Sequence, residues 1–303
     1  MKIHIFNVGH GSAALVVADN QNLMLLDCGH ADDGFRPSQF LPQRWKAIQE
    51  LIVSHYDSDH VSNLSELIAK MPVERLISNQ SISSEEIRRL KQQEGPVTAG
   101  MEALLKMKSS FGAPGTGGAP DLAGVTFQVF NHSYGRWSLF LPTPPLAATP
   151  VFDDINNLSV VTFIEYHGFG IVFPGDLEKA DWTAHLNNPA FRLALSRVKI
   201  FVASHHGREN GYCKEVFQWC KPDLIVISDT AKQYDSQEHC YDTHANGMEF
   251  FRNGMSVGKR YVLTTRSDGH ITIEQNTTPV ATFGGLGVVP RQNYTVSTQS
   301  SLA

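Results

Sequence analysis

Apolar positions along this chain follow two periods, one of strands and one of helices. In the first thirty residues they form short runs, IHIFNV, AALVVA and LMLLDCG, broken by Gly9-His10-Gly11 and by a turn at Asp19-Asn20. That pattern predicts a β meander. Residues 46–54 predict a short helical stretch leading into a buried strand that ends at Ser54. A helix over about 60–70, the strand VERLIS and a helix from about 84 follow, with Ser83 and Glu86 at the spacing of a capping box. Residues 97–110 have helical amphipathic spacing, and GAPGTGGAP at 112–120 is a loop. From Val125 strands return as VTFQVF, WSLFL and a hairpin of SVVTFIEY with GIVFPGD, turning at His167-Gly168. KIFVAS and DLIVIS then alternate with helices near 178–187 and 212–220. The Asp-Gly signal in YVLTTRSDGHITIEQ predicts a last hairpin.

Two strand-rich halves with interspersed helices predict a layered α/β sandwich. We expect a single domain over 1–285 with an insertion around 80–150, and a polar, loosely ordered tail over 286–303. Composition agrees with a globular chain: 42% of the 303 residues are hydrophobic and 18% charged, which excludes disorder. No apolar run approaches the ~20 residues that span a bilayer. The start, MKIHIFNVGH, lacks an apolar signal core, and it is the cysteines that suit a reduced cytoplasm, the expected location. The net charge of −5 (25 Lys+Arg against 30 Asp+Glu) argues against a generic nucleic-acid coat but permits a local basic groove. Four cysteines without a C-x-x-C pair indicate neither a zinc ribbon nor a disulfide framework. Thirteen histidines stand beside them. Any metal here must be held by imidazole and carboxylate.

The candidate ligands gather at strand ends. VSHYDSDHVSN, residues 53–63, holds His55, Asp57, Asp59 and His60 directly after an apolar strand. On a strand-to-helix turn these four can converge on one spot, which a regular helix or strand does not permit. His55 and Asp57 share one spacing from which Asp59 and His60 diverge, a pattern that suits two neighbouring metals. GIVFPGDLE runs a buried strand into Gly175 and Asp176, and acidic residues at strand C-termini are usual sites in α/β architectures. KIFVASHHGREN delivers His205 and His206 to a glycine turn, where one suits a metal and the other a substrate or supporting contact. Asp, Ser and Gly-Asp are also ordinary turn residues. Three separate strands that each end in ligand-type residues form a stronger pattern than any one of them.

Around this set, His10 in the first glycine turn is a candidate substrate contact, and Lys232, Tyr234 and His244 in the polar stretch 228–247 are candidates for gripping an anion. Two patterns fail. Gly9-His10-Gly11-Ser12-Ala13-Ala14 fits the loose dinucleotide signature, which requires a helix where this sequence predicts strands. GAPGTGG lacks the Gly-Lys-Ser/Thr ending of a P-loop, and no G-x-S-x-G elbow is present.

The ordered series LLDCG, H-x-D-x-D-H, G-D and H-H-G resembles the metallo-β-lactamase fold over about residues 1–275. More narrowly, Val8-Gly9-His10-Gly11, Asp57 in the place of a second histidine, and the N-x-x-S start at Asn156–Ser159 resemble the soluble hydrolase domain of the ComEC competence family. The resemblance implies an αββα four-layer sandwich. It also implies that Asp59 and His60, with one of His205 and His206, hold one ion, that His55 and Asp57 hold the other, and that Asp176 bridges them. Asp27 in LLDCG would support the set. We take His55, Asp57, Asp59, His60, Asp176 and His205 as metal ligands, and Asp59, His60, Asp27 and His206 as the catalytic group. His10, Asn157, Lys232 and His244 are taken as substrate contacts. Many members carry a further histidine between the H-x-D-x-D-H and G-D motifs; here Asn156 or Asn157 stands in the comparable place, with His132 as a substitute candidate. Ser12, where the relatives have Asp, and Ser62-Asn63, where they have Gly-Gly, bear on substrate choice.

Two divalent cations (Zn2+ or Mn2+) about 3.5–4 Å apart share a hydroxide and polarise the bond it attacks. Asp57 in place of an imidazole shifts the preference from zinc towards manganese or magnesium. The expectation is a binuclear metal-dependent hydrolase, a phosphodiesterase or nuclease, with a phosphodiester substrate, DNA among the candidates, and no membrane partner. Protein partners cannot be read. The runner-up is a hydrolase of a small ester, phosphocholine ester or cyclic nucleotide; from another class, a non-catalytic binding protein with a degenerate metal site.

Overall fold

A computed structural model of the chain describes residues 1–32, 34–111, 119–134, 155–230, 236–252, 255–275 and 294–301. The strands of the first half are β1 (Lys2–Ile5), β2 (Ala14–Val17), β3 (Leu23–Leu26), β4 (Glu50–Ile52), β5 (Leu76–Ile77) and β6 (Thr126–Phe130). The second half adds β7 (Val161–Tyr166), β8 (Phe169–Phe173), β9 (Ile200–Val202), β10 (Leu224–Ile227) and the pair β11 (Met248–Arg252) and β12 (Met255–Arg260). It ends with β13 (Val262–Thr264), β14 (His270–Gln275) and β15 (Tyr294–Gln299). Seven strands form one sheet in the order β15-β14-β1-β2-β3-β4-β5, six form another in the order β13-β10-β9-β8-β7-β6, and β11 and β12 pair with each other.

Alternation along the strands explains why the sheets stack, because successive side chains of a strand point to opposite faces. Ile3, Ile5, Val16, Met24 and Leu26 of the first sheet join Ile164, Ile171, Ile200, Val202 and Val226 of the second in one core between the sheets. Leu15, Val17, Leu23 and Leu25 face the other way and pack with residues of the helices Leu64–Ile68, Ser84–Glu94 and Ala99–Phe111. Val172, Phe201, Ile225 and Ile227 do the same against the helices Lys179–His185 and Pro189–Leu195. The result is the expected αββα four-layer sandwich. Each sheet has a parallel block, β3-β4-β5 in one and β8-β9-β10-β13 in the other, so several strand C-termini open on the same side.

Ser83 caps the helix Ser84–Glu94 as its spacing predicted, accepting from the Glu86 N–H. The segment expected as an insertion is not set apart within its described residues. Ile87, Met101, Leu104 and Leu105 belong to the outer core of the first sheet, and β6 is an edge of the second. WSLFL and the residues 142–150 lie outside the described residues.

Local reading failed where tertiary pairing decides. The last hairpin is not one: β13 pairs with β10 in the second sheet, and β14 pairs with β1 in the first. Between them the Asp-Gly ends a helical turn, Thr265–Asp268, that Thr264 caps by accepting from the Ser267 N–H. The tail expected to be loose from 286 contains β15, which completes six pairs with β14 and buries Tyr294. The helical turns expected near 46–49 lie earlier, at Pro37–Phe40 and Leu41–Gln43, where proline at the first or second position presets the backbone. No helix among the described residues is long and apolar enough to cross a membrane.

Candidate metal centre

The C-terminal ends of β3, β4, β8 and β9 carry Asp27, Ser54-His55, Asp176 and His205-His206 respectively. The short helix Ser58–Val61 follows β4 and brings Asp59 and His60 back over that edge. Close approach makes this possible: a Cβ on Gly29 would stand 2.4 Å from the Asp59 carbonyl oxygen, so the loop after β3 can seat the Asp59 turn only with glycine there. Asp27, His205 and His206 all have positive φ (57°, 49° and 54°). Left-handed backbone at three non-glycine residues is held strain, which collects at functional sites.

Two groups of ligand atoms result. His55, His60 and Asp176 form one, His10, Asp59 and His206 the other, and in each the atoms lie within 4.8 Å of one another. His60 Nε2 is 3.2 Å from Asp176 Oδ1; His55 Nε2 is 3.6 Å from Asp176 Oδ2 and 3.5 Å from Asp57 Oδ2. His206 Nε2 is 3.4 Å from Asp176 Oδ2 and 3.2 Å from Asp59 Oδ2, with His10 Nε2 3.6 Å from the same Asp59 oxygen. Asp176 therefore stands between the groups.

The orientation of the rings decides what these atoms can do. His60 Nδ1 donates to Asp27 Oδ2 (2.8 Å) and His206 Nδ1 donates to the Ser228 carbonyl (2.9 Å); carboxylate and carbonyl only accept, so both rings carry their proton on Nδ1. Asp27 is itself fixed by the Ser54 N–H (2.7 Å) and hydroxyl (2.8 Å). The Nε2 atoms of His55, His60 and His206 are buried and without a hydrogen-bond partner. Buried nitrogens normally have one. Three that lack it and face two carboxylates are a donor set for divalent cations, and these residues fit one.

Without a cation the charges lean on protons. Burial alone would lower His206, yet Asp176 and Asp59 hold it up to about 10. His60 is raised in the same way, by Asp176, Asp27 and Asp59 against its burial. Asp59 and Asp176, which burial would raise, are driven below the carboxylate range, Asp59 by His60 and His206 and Asp176 by His206, His60 and His55. His205 differs: burial pulls it down to about 4 against Asp176.

The structure sorts the predicted residues. His55, Asp57, Asp59, His60, Asp176, His206 and Asp27 come together as described, and His10 lies at the same edge beside Asp59 and His206. His205 Nε2 is farther from Asp176, at 3.7 Å, and accepts from Arg208 Nη1 (2.9 Å). Asn157 lies on the turn Asn156–Leu158 just before β7, with its Oδ1 buried and without a hydrogen-bond partner. His244 is not brought in; its ring stacks on Phe217 at 4.1 Å and its Nε2 shares a hydrogen bond with the Tyr212 hydroxyl (2.7 Å). His132 lies in a different cluster, with Asp181 and His185. Lys232 and Tyr234 lie outside the described residues.

Sequence reasoning missed two cations. Arg208 Nη2 also donates to His10 Nε2 (3.0 Å), so its guanidinium bridges His10 and His205. Its position directly after His-His-Gly was the available signal. Lys91, on the helix Ser84–Glu94, donates to Asp57 Oδ1, and its own spacing gave no signal. Burial would raise Asp57, but with His55 and Lys91 beside it the carboxylate stays below its usual range. A cavity of about 390 Å³ opens past Asp57, Asp59 and Lys91 to Thr98 and Met101.

A family model described as "Metallo-beta-lactamase superfamily" matches residues 7–190. No curated protein matches the chain. Among solved structures, the metallo-beta-lactamase fold protein YhfI from Bacillus subtilis is similar at 12% identity, covering 89% of this chain and 99% of its own, with a TM-score of 0.42. Zn2+-bound PqqB from Methylobacterium extorquens is 14% identical over 67% of this chain and 72% of its own, with a TM-score of 0.38. The short form of human tRNase Z is 12% identical over 86% of this chain and all of its own (100%), with a TM-score of 0.39.

Proposed function

We propose, from the premise that this chain belongs to the metallo-β-lactamase superfamily, that it is a binuclear metal-dependent hydrolase of phosphodiesters. The observation that carries the reading is the convergence of the partnerless Nε2 atoms of His55, His60 and His206 on Asp176 and Asp59. His55 and Asp57 would hold one divalent ion, and Asp59, His60 and His206 the other, with Asp176 shared; His60 reaches both groups, its Nε2 3.2 Å from Asp176 Oδ1 and 3.9 Å from Asp59 Oδ2. His206 takes the ligand role in preference to His205 because Ser228 fixes its Nδ1 and leaves Nε2 free to face the carboxylates. Ions bound there supply Lewis acidity to a phosphoryl oxygen and acidify a water molecule.

The other steps belong to the chain. Asp27 and the Ser228 carbonyl hold the His60 and His206 rings in one tautomer and one orientation. Arg208, poised between His10 and His205, binds the non-bridging oxygens of the substrate with its planar fork. His10 contacts the substrate from the same edge. Asp57 adds a hard anionic donor, which favours Mn2+ over Zn2+ and suits phosphate-ester chemistry. The finer kinship to the hydrolase domain of the ComEC family, on Val8–Gly11, Asp57 and Asn156–Ser159, makes DNA the first polymeric substrate to try, and four free cysteines support the cytoplasm as the proposed location.

One observation favours a second reading. Lys91 puts an ammonium on Oδ1 of the carboxylate that would help to hold one ion, which supports a single-ion or non-catalytic site. Hydrolysis of bis-p-nitrophenyl phosphate by the Mn2+-loaded chain separates the two, with Asp59→Ala and His60→Ala as controls. Activity that survives both substitutions removes the centre from the reaction. Linear and single-stranded DNA set against small diesters and cyclic nucleotides then fixes the substrate size.

A further inference from the structure

We propose that His132, Asp181 and His185 form a separate divalent-metal site of the zinc class, outside the centre described above. Asp181 and His185 are four residues apart on the helix Lys179–His185, so they share one face. His132 comes from the segment just after β6, where Asn79 Nδ2 holds its carbonyl at 2.7 Å. Its Nε2 is 3.1 Å from Asp181 Oδ1, and its ring centroid is 3.8 Å from that of His185. One ligand atom from each of the three residues fits within 4.8 Å, and none of the three belongs to the two groups of the principal centre.

The cluster offers three donors in a largely buried setting. Asp181 is fully buried (0% exposed), and a buried carboxylate requires compensating positive charge. His185 is also buried, its ring stacked on Phe191 at 4.7 Å, and its Nε2 has no hydrogen-bond partner. Two imidazoles and one carboxylate from two chain segments are a usual zinc set, with a fourth position left for a further ligand. An ion there would pin the end of the edge strand β6 to the helix that starts three residues after Asp176. It would act on stability, since metal held by the folded state adds to folding free energy.

The test compares zinc content by plasma mass spectrometry in the whole chain and in His132→Gln, both stripped, refilled with Zn2+ and freed of excess. His132 is on the rim, its side chain 21% exposed, so its replacement leaves the buried pair in place. One zinc ion fewer per chain is expected in His132→Gln, together with a smaller rise of Tm on adding Zn2+. Equal zinc content in a folded His132→Gln overturns the proposal. A measurement on the unaltered chain guards against a variant that fails to fold: crystals soaked in ZnCl2 should give an anomalous peak about 2.0–2.1 Å from the His132 and His185 nitrogens. No peak there while the principal centre is filled also overturns it, whatever the centre hydrolyses.

Discussion

Asp27 Oδ2 lies 2.8 Å from His60 Nδ1, with the Ser54 hydroxyl on the same oxygen. The carboxylate at the end of one strand thereby sets which nitrogen of a histidine on the next loop faces the centre. Asp27→Asn keeps the shape but offers an amide where the ring needs an acceptor. Metal affinity should fall about 10–100-fold, as it does when such supporting partners are removed. Chelator competition with Mn2+ measures it, and unchanged affinity would detach Asp27 from the centre.

Protons and metal compete for the same nitrogens. With His206 held up to about 10, the metal-free chain carries at pH 7 a proton that a cation must displace. Affinity should therefore rise with pH, and calorimetry in buffers of different ionisation enthalpy should detect proton release on binding. The linked stability has the opposite slope. A folded-state value above the unfolded value of about 6.5 stabilises the metal-free fold fully below pH 6.5, and the contribution is lost as pH rises towards 10. Denaturant melts of the metal-free chain across that window should show the loss, and metal-loaded chain should not.

Lys91 and a cation oppose each other at Asp57. Lys91→Ala should tighten binding of the ion at His55 and Asp57 by about tenfold, equivalent to about 1.4 kcal/mol. A Mn2+ titration that shows weaker binding would mean that Lys91 orders the site instead.

Arg208→Ala should leave metal content unchanged and lower kcat/KM on a diester by about 10²-fold, the usual effect of removing one oriented donor. Arg208→Lys should recover little, because a single ammonium cannot span His10 and His205. Equal rates in all three proteins would contradict the role given to Arg208.

Gly29→Ala tests the scaffold. A Cβ 2.4 Å from the Asp59 carbonyl forces the loop off its seat, and overpacking of this kind costs about 1–3 kcal/mol. Urea denaturation reads the loss directly, and an unchanged midpoint would show that the loop has room to give.

What the sequence could tell follows from where the information sits. His55 to His60, Asp176 and His205-His206 each follow a run of apolar residues, so strand and ligand are adjacent in the chain and the site was legible motif by motif. The choice between His205 and His206 was not, because it rests on a Ser228 carbonyl and an Arg208 guanidinium that only the fold brings near. Lys91 was illegible for a related reason: on an amphipathic helix it has the spacing of any surface lysine. Thr264–Gly269 shows the limit of turn signals. Asp268-Gly269 marks a reversal, but which sheet each flanking strand joins is settled by partners elsewhere in the chain, Ile225 for Val262 and His4 for Thr272. The Asp181/His185 pair stood at helical i, i+4 spacing in plain view; His132, about fifty residues earlier, did not.

The central claim is that the partnerless histidine nitrogens around Asp176 are metal ligands. It is tested most directly by counting ions in the refilled chain beside a folded His60→Ala/His206→Ala double variant, with circular dichroism to confirm the fold. At least one divalent ion fewer per chain is expected in the variant, with loss of diester hydrolysis in the same samples. Equal ion content in the two proteins would contradict it.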